Sequence, residues 1–240
     1  MSLLSVEHVT KRYRRGRLER IAVRDVSLDI ESGELVAVWG ARRSGRSTLL
    51  RIAAGIERPE EGRVVFEGRD LARSRNSVLG RRLGYCQTCF SAAGRGLVVE
   101  HVAAGLLAQR ASPKDARRRG QELLLRVGAE HCGGLECHEL DGAELARVAI
   151  ATMLVTSPTL LVIDEPSSGV ELLERDPLLA LLRSIANEGT AVLMSAGDAQ
   201  GLSGVDRALS IDNGELRGEL APVTAHVVPL RRAESGAHRR

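Results

Sequence analysis

The segment GARRSGRST, residues 40–48, has the glycine spacing of a phosphate-binding loop. Gly40 and Gly45 are five positions apart and are followed by a basic residue and two hydroxyl residues. In such a loop, backbone N–H groups and a helix N-terminus bind phosphate, and a hydroxyl at the Ser47 position reaches Mg²⁺. Glycines alone would fit a tight turn equally well, so further motifs must decide. The nucleotide-binding residues predicted here are Gly40, Arg43, Ser44, Gly45, Arg46, Ser47 and Thr48.

A second motif, LLVIDEP at residues 160–166, ends an apolar run with two adjacent carboxylates. At a strand tip beside a phosphate loop, Asp164 would hold Mg²⁺ through water, and Glu165 would orient or deprotonate the attacking water. An acidic turn is the simpler interpretation of a lone Asp-Glu pair. Its position after a phosphate loop favours nucleotide hydrolysis, with Glu165 as the candidate catalytic residue.

The elements around these motifs predict an α/β fold. A continuous apolar run, Leu35–Trp39, precedes the loop, and a segment of helical composition follows it, which predicts strand, loop and helix at the start of a buried parallel sheet. The same alternation returns in the second half of the chain. We expect helices over residues 143–156 and 177–187 and strands over residues 160–163 and 191–194.

Other patterns mark an antiparallel β subdomain before this core and a helical subdomain inserted into it. Val26, Leu28 and Ile30 alternate with polar residues, as in antiparallel strands, and GRVVFEG predicts a short hairpin. Residues 97–128 have helical spacing, and Asn213-Gly214 is a hairpin-turn dipeptide. We expect one P-loop NTPase domain over residues 1–240, with a helical subdomain at about 90–140 and a flexible basic tail over 222–240.

Composition excludes several classes of protein. Hydrophobic residues at 43% and charged residues at 27% exclude a disordered or fibrous chain, and a net charge of +3 is too small to indicate a nucleic-acid partner. The start, MSLLSVEHVTKRY, lacks the pattern of a secretory signal. The longest uncharged run, residues 148–163, contains Pro158 and is too short to span a membrane. We therefore expect a cytoplasmic protein.

In their order, these motifs resemble the ATP-binding cassette (ABC) ATPase family over about residues 3–218. The resemblance implies that Tyr13 stacks on adenine and that Gln87 senses Mg²⁺ and the permease. LDGAELARVAIA, which begins at Leu140, resembles the family signature LSGGQ, and SSGVE after Pro166 resembles the loop that joins two cassettes. The overall pattern is most similar to small export and lipoprotein-release cassettes. The implied signature residues are Asp141, Gly142, Ala143 and Glu144, and the implied Mg²⁺ ligands are Ser47, Gln87 and Asp164.

Several positions depart from the family pattern. Arg46 replaces a lysine, Arg43 and Ala143 replace glycines, Asp141 replaces the signature serine, and Gly197 stands where a histidine touches the γ-phosphate. Glu165 remains. Asp141 followed by Glu144 is a helix-capping pattern, so the helix start is kept while a phosphate contact is lost.

The resemblance thus implies an ATP-binding and Mg²⁺-binding subunit of an ABC transporter. Its partners would be a transmembrane permease and a second cassette, with a heterodimer favoured, and it would lie on the inner face of the cell membrane. Hydrolysis would be weak or partner-dependent. The alternative is a regulatory or structural pseudo-ATPase that scaffolds or gates its permease.

A metal or redox site is a further alternative. Cys86 and Cys89 form CxxC around Gln87, and a second cluster contains two histidines and two cysteines. Neither cluster has the close second pair of a zinc ribbon, which disfavours this interpretation. The second cluster consists of His131, Cys132, Cys137 and His138.

Overall fold

The computed structural model describes residues 2–16, 18–73, 82–87 and 96–220. Within these ranges, four strands form an antiparallel sheet in the order β2-β1-β4-β5. The alternating residues Val26, Leu28 and Ile30 are buried, which confirms the predicted N-terminal β subdomain. The strands are β1 (Leu4–Arg15), β2 (Leu18–Ile30), β4 (Glu61–Phe66) and β5 (Arg69–Asp70).

The second sheet carries the predicted parallel core. Its strand order is β10-β9-β3-β8-β7-β6, and every neighbouring pair is parallel except β9 and β10. The turn between β9 and β10 has positive φ at both Asn213 (50°) and Gly214 (83°), as the predicted tight hairpin requires. These strands are β3 (Leu35–Trp39), β6 (Leu83–Cys86), β7 (Leu160–Ile163), β8 (Ala191–Ala196), β9 (Arg207–Asp212) and β10 (Glu215–Leu220).

Helices cover both faces of the parallel sheet. Val36 and Val38 of β3 face one core, which contains the buried side of α1 and the antiparallel sheet, while Leu35 and Ala37 face a second core formed with the other helices. In the described part of the chain, none of these helices has the length and apolar character needed to cross a membrane. The helices are α1 (Arg46–Ala53), α2 (Val98–Leu107), α3 (Pro113–Arg126), α4 (Gly142–Leu154) and α5 (Leu172–Asn187).

The structure corrects some predicted boundaries. Helix α5 begins at Leu172, five residues before Pro177, so the proline lies inside the helix. Its first turn exposes Leu172 (62%) and Leu173 (87%), and apolar residues on a solvent face do not mark a buried helix. Helix α4 ends at Leu154, and β8 continues to Ala196. The predicted tail, Cys89 and the start of the predicted helical subdomain lie outside the described residues.

Candidate nucleotide site

The phosphate loop joins β3 to the first turn of α1, as its sequence predicts. Two glycines are required there by close backbone packing: a Cβ on Gly40 would lie 2.2 Å from the Ile211 carbonyl oxygen, and one on Gly45 would lie 2.3 Å from that of Ala22. Ser44 Oγ is buried without a hydrogen-bond partner among the described residues. A buried hydroxyl without a partner is costly, so this atom indicates a ligand-binding loop.

A cavity of about 140 Å³ opens over the loop. It brings together most of the residues predicted to bind nucleotide, while Gly40 lies deeper in the loop and does not line it. Sequence reasoning missed Arg20, which lines the cavity and donates a hydrogen bond to the Arg43 carbonyl. The lining residues are Tyr13, Arg20, Ala22, Arg43, Ser44, Gly45, Arg46, Ser47 and Thr48.

Arg43, at a position where the family has glycine, adopts the left-handed region with φ 66°. A side chain in that region costs about 1–2 kcal/mol. Arg43→Gly should therefore raise the free energy of unfolding by about 1 kcal/mol, measured by chemical denaturation. Arg42→Gly is the matched control, because Arg42 is an exposed neighbour with ordinary φ and should instead lose about 0.5–1 kcal/mol. Equal losses in both variants would contradict the assignment of strain to Arg43.

The paired carboxylates follow β7 and are connected through Ser195 of the neighbouring strand β8. Ser195 Oγ donates to Asp164 Oδ1 at 2.6 Å and accepts from the Glu165 N–H at 2.8 Å. Asp164 is buried, and Glu165 has φ 49°, a strained backbone of the kind that occurs at functional sites. Sequence reasoning missed Ser195, although a lone hydroxyl near the end of an otherwise apolar strand was a signal for it.

Arg46 reaches from the phosphate loop to the catalytic candidate. Its side chain is 6% exposed, and its Nη2 donates to Glu165 Oε1 at 2.5 Å. Its Nη1 donates to the carbonyl of Ala196, next to Gly197. A Cβ on Gly197 would lie 3.4 Å from Arg46 Nη1 and 3.8 Å from Glu165 Oε1. The Cβ of a histidine at position 197 would therefore be in van der Waals contact with the guanidinium, so these two departures from the family pattern lie next to each other.

Gln87 follows β6 and lines a second cavity, of about 370 Å³, together with Asp164 and Glu165. Ser47 lines the phosphate-loop cavity, and Arg46 connects the two cavities through its ion pair. Burial and the nearby Asp164 raise the pKa of Cys86 to about 11. This thiol is therefore protonated at neutral pH when no metal is bound.

The profile of the ABC transporter family matches residues 23–168. The chain belongs to this family. It is an ATP-binding subunit of an ABC transporter, as the sequence resemblance implies.

Solved ABC cassettes have the same fold. The ATP-binding cassette MJ0796, in a dimeric post-hydrolysis state bound to ADP and Pi, matches with a TM-score of 0.84 and 25% identity, over 91% of this chain and 98% of that one. CbiO1 from Clostridium perfringens, part of the ABC transporter complex cbiONQ, matches with a TM-score of 0.80 and 25% identity, over 92% of this chain and 89% of that one. The predicted α/β fold is thereby confirmed.

The predicted signature segment lies at the start of α4. Asp141 accepts a hydrogen bond from the Glu144 N–H at 2.8 Å, and Glu144 Oε2 accepts one from the Asp141 N–H at 2.9 Å, which confirms the predicted capping pattern. Gly142 packs against the loop after Glu165, since its Cβ would lie 2.0 Å from the Gly169 carbonyl oxygen. Ala143 is buried. None of these four signature residues lines the cavity over the cassette's own phosphate loop.

Tyr13 lies at the mouth of the phosphate-loop cavity, with its side chain 38% exposed. Its hydroxyl donates to Glu57 Oε2 at 2.7 Å and accepts from Arg51 Nη2 at 3.1 Å. Burial acts to raise the pKa of Glu57, but hydrogen bonds from Tyr13 and Arg51 hold that pKa below its usual value. Glu57 and Arg51 thus orient the Tyr13 ring through its hydroxyl. Sequence reasoning missed these ionised partners, because nothing in their spacing along the chain connects them to Tyr13.

Proposed function

We propose that this cassette binds Mg²⁺-ATP at the phosphate loop, with Tyr13 against the adenine and the loop residues around the phosphates. The buried hydroxyl of Ser44 and the two backbone-packed glycines support a bound anion there. Hydroxyl, amide and carboxylate oxygens suit Mg²⁺, so Ser47, Gln87 and Asp164 are its proposed ligands. When bound, Mg²⁺ neutralises charge on the β- and γ-phosphates.

We further propose that hydrolysis is slow because Arg46 holds Glu165. The single observation that carries this proposal is the 2.5 Å contact between their side chains. A carboxylate oxygen that already accepts a hydrogen bond from a guanidinium is not free to accept one from the attacking water. Glu165 would have to exchange this partner for a water molecule before it could act as a general base.

The proposed assembly is a heterodimer with a second cassette, attached to a transmembrane permease on the inner face of the membrane. In such a dimer each ATP lies between one phosphate loop and the other cassette's signature. This cassette would present the carboxylate of Asp141 to an anionic phosphate, which disfavours a homodimer with two such sites. We treat residues 1–240 as one ABC domain, with the helical subdomain inserted at about 90–140.

Glu165→Gln tests the role of Glu165 in hydrolysis. We expect the variant to bind a fluorescent ATP analogue as the parent does and to lose about 100-fold in ATP turnover, the range typical for removal of a general base. Turnover is measured for the purified chain alone and with its permease. Glu171→Gln is the matched control, because Glu171 is exposed and its side chain makes no cap hydrogen bond to α5.

Two outcomes would contradict parts of the proposal. Turnover unaffected by Glu165→Gln would reject hydrolysis at this site and favour the regulatory pseudo-ATPase. Failure to bind the ATP analogue would reject the nucleotide site itself. Sedimentation of the chain with and without candidate partner cassettes tests the heterodimer, which a stable ATP-dependent homodimer would contradict.

A further inference from the structure

Three side chains of types that bind metals meet beside the signature, on the face of the cassette formed by the helical subdomain. His131 Nε2 lies 2.7 Å from Glu144 Oε1 and 3.4 Å from Cys132 Sγ. All three candidate ligand atoms lie within 4.8 Å of one another. In the described part of the chain, no other trio of histidine, cysteine or acidic residues has this geometry.

Two structural elements hold the trio in place. Cys132 is fully buried in the 3₁₀ turn Glu130–Gly134, and Glu144 lies in the first turn of α4, where the Asp141 N–H fixes its other carboxylate oxygen. His131 is exposed, so solvent and ions have access to the site. Fixed protein ligands with one side of the site open to solvent are typical of a metal site in which water occupies one coordination position.

The electrostatic surroundings favour a cation. The carboxylates of Glu130, Asp141 and Glu144 all lie in or next to the two elements that hold the trio. These carboxylates would stabilise a divalent ion bound beside them, and its binding would release the proton of the Cys132 thiol.

We propose that His131, Cys132 and Glu144 bind a zinc ion, with water as a fourth ligand. Nitrogen, sulfur and oxygen donors in one tetrahedral set are typical of zinc. The ion would connect the 3₁₀ turn to the start of the signature helix. The carboxylate ligand, Glu144, stands at the position where the family signature has glutamine, whose neutral amide is a poor ligand. This inference goes beyond nucleotide binding and does not depend on hydrolysis.

The ligand set differs from the one that the sequence spacing indicates. Cys137 is buried outside the trio, and His138 Nδ1 lies 3.3 Å from Glu136. Glu144 belongs to the proposed ligand set in their place, because the start of α4 lies against the 3₁₀ turn. Cys137 and His138 therefore provide matched controls, each of the same residue type as one ligand and close to it in the chain.

Cobalt titration of the purified full chain tests the site, because Co²⁺ bound to a thiolate gives a charge-transfer band in the near ultraviolet. We expect this band in the parent chain, titrating to one ion per chain and displaced by Zn²⁺. Cys132→Ser should lose the band, whereas Cys137→Ser and His138→Ala should keep it. His131→Ala and Glu144→Gln should weaken Co²⁺ binding by at least about tenfold, since changes to groups that only support the ligands already cost 10–100-fold.

Conservative substitutions distinguish the loss of a metal ligand from a failure of the variant to fold. Glutamine can also accept the capping hydrogen bond, so Glu144→Gln should keep the circular dichroism spectrum of the parent. Absence of a thiolate band in the folded parent would overturn the proposal. A band that survives Cys132→Ser, or one that disappears equally in Cys137→Ser, would overturn it too. Binding of the ATP analogue is measured on the same samples, so that failure here is distinguished from failure of the nucleotide site.

Discussion

Replacing Arg46 by lysine and Gly197 by histidine together should raise the ATP turnover of the cassette by about 100-fold, the lower end of the effect of one preorganised transition-state donor. Lysine would return a compact cation to the phosphate loop and release Glu165 from its 2.5 Å ion pair. Histidine would then contact the γ-phosphate. Initial rates of phosphate release at saturating Mg²⁺-ATP measure the effect.

The Gly197→His single variant shows whether the gain in turnover requires the change at Arg46 as well. Gly197→His alone places its Cβ in van der Waals contact with Arg46 Nη1, at 3.4 Å, and leaves the ion pair between Arg46 and Glu165 in place, so it should not raise turnover. Adding Glu165→Gln to the double variant should abolish the gain. If the double variant binds the ATP analogue yet turns over no faster than the parent, the Arg46 and Glu165 pair is not what limits hydrolysis.

Gly142→Ala should destabilise the cassette by about 3 kcal/mol. The new Cβ would lie 2.0 Å from the Gly169 carbonyl oxygen, and both partners are backbone, so neither can rotate away. The expected result is a lower midpoint of urea unfolding with an unchanged slope. Because Gly169 follows Glu165 in the chain, the loop at the nucleotide site would shift together with the signature helix.

Gly218→Ala is the control for this substitution. Gly218 lies in the exposed strand β10, has no positive φ, and no atom lies within 4 Å of its expected Cβ. The control should change the unfolding free energy by no more than about 0.5 kcal/mol. A Gly142→Ala variant as stable as this control would show that the contact with Gly169 yields easily, and the structural reason for glycine at position 142 would be lost.

The departures from the family pattern have different consequences in the structure. Asp141 still begins α4 through its capping hydrogen bonds, so this replacement keeps the fold and changes only the group offered to a phosphate. Arg43 strains the loop locally. Arg46 and Gly197 lie next to each other, because the expected Cβ of residue 197 is 3.4 Å from the guanidinium Nη1. Restoring histidine at position 197 alone should therefore leave the pair of Arg46 and Glu165 intact and turnover unchanged.

The sequence by itself determined the fold and was sufficient to predict the phosphate loop. Apolar runs such as Leu35–Trp39 and Leu160–Ile163 are buried in a parallel sheet on both faces, which is why their composition was sufficient to locate them. The start of α5 could not be located in this way, because its exposed leucines carry no burial pattern. Asp141 and Glu144 were predictable as a cap because capping depends on neighbours within one turn.

Only the tertiary structure decided what the polar side chains contact. Arg46 and Glu165 are far apart in the chain, and their ion pair exists because the parallel order of the sheet brings the phosphate loop and the strand ends to the same edge. The contact of Glu144 with His131 and the link through Ser195 likewise join separate elements. Spacing along a chain encodes helix and strand periods, whereas contacts between elements depend on packing, which no local pattern specifies.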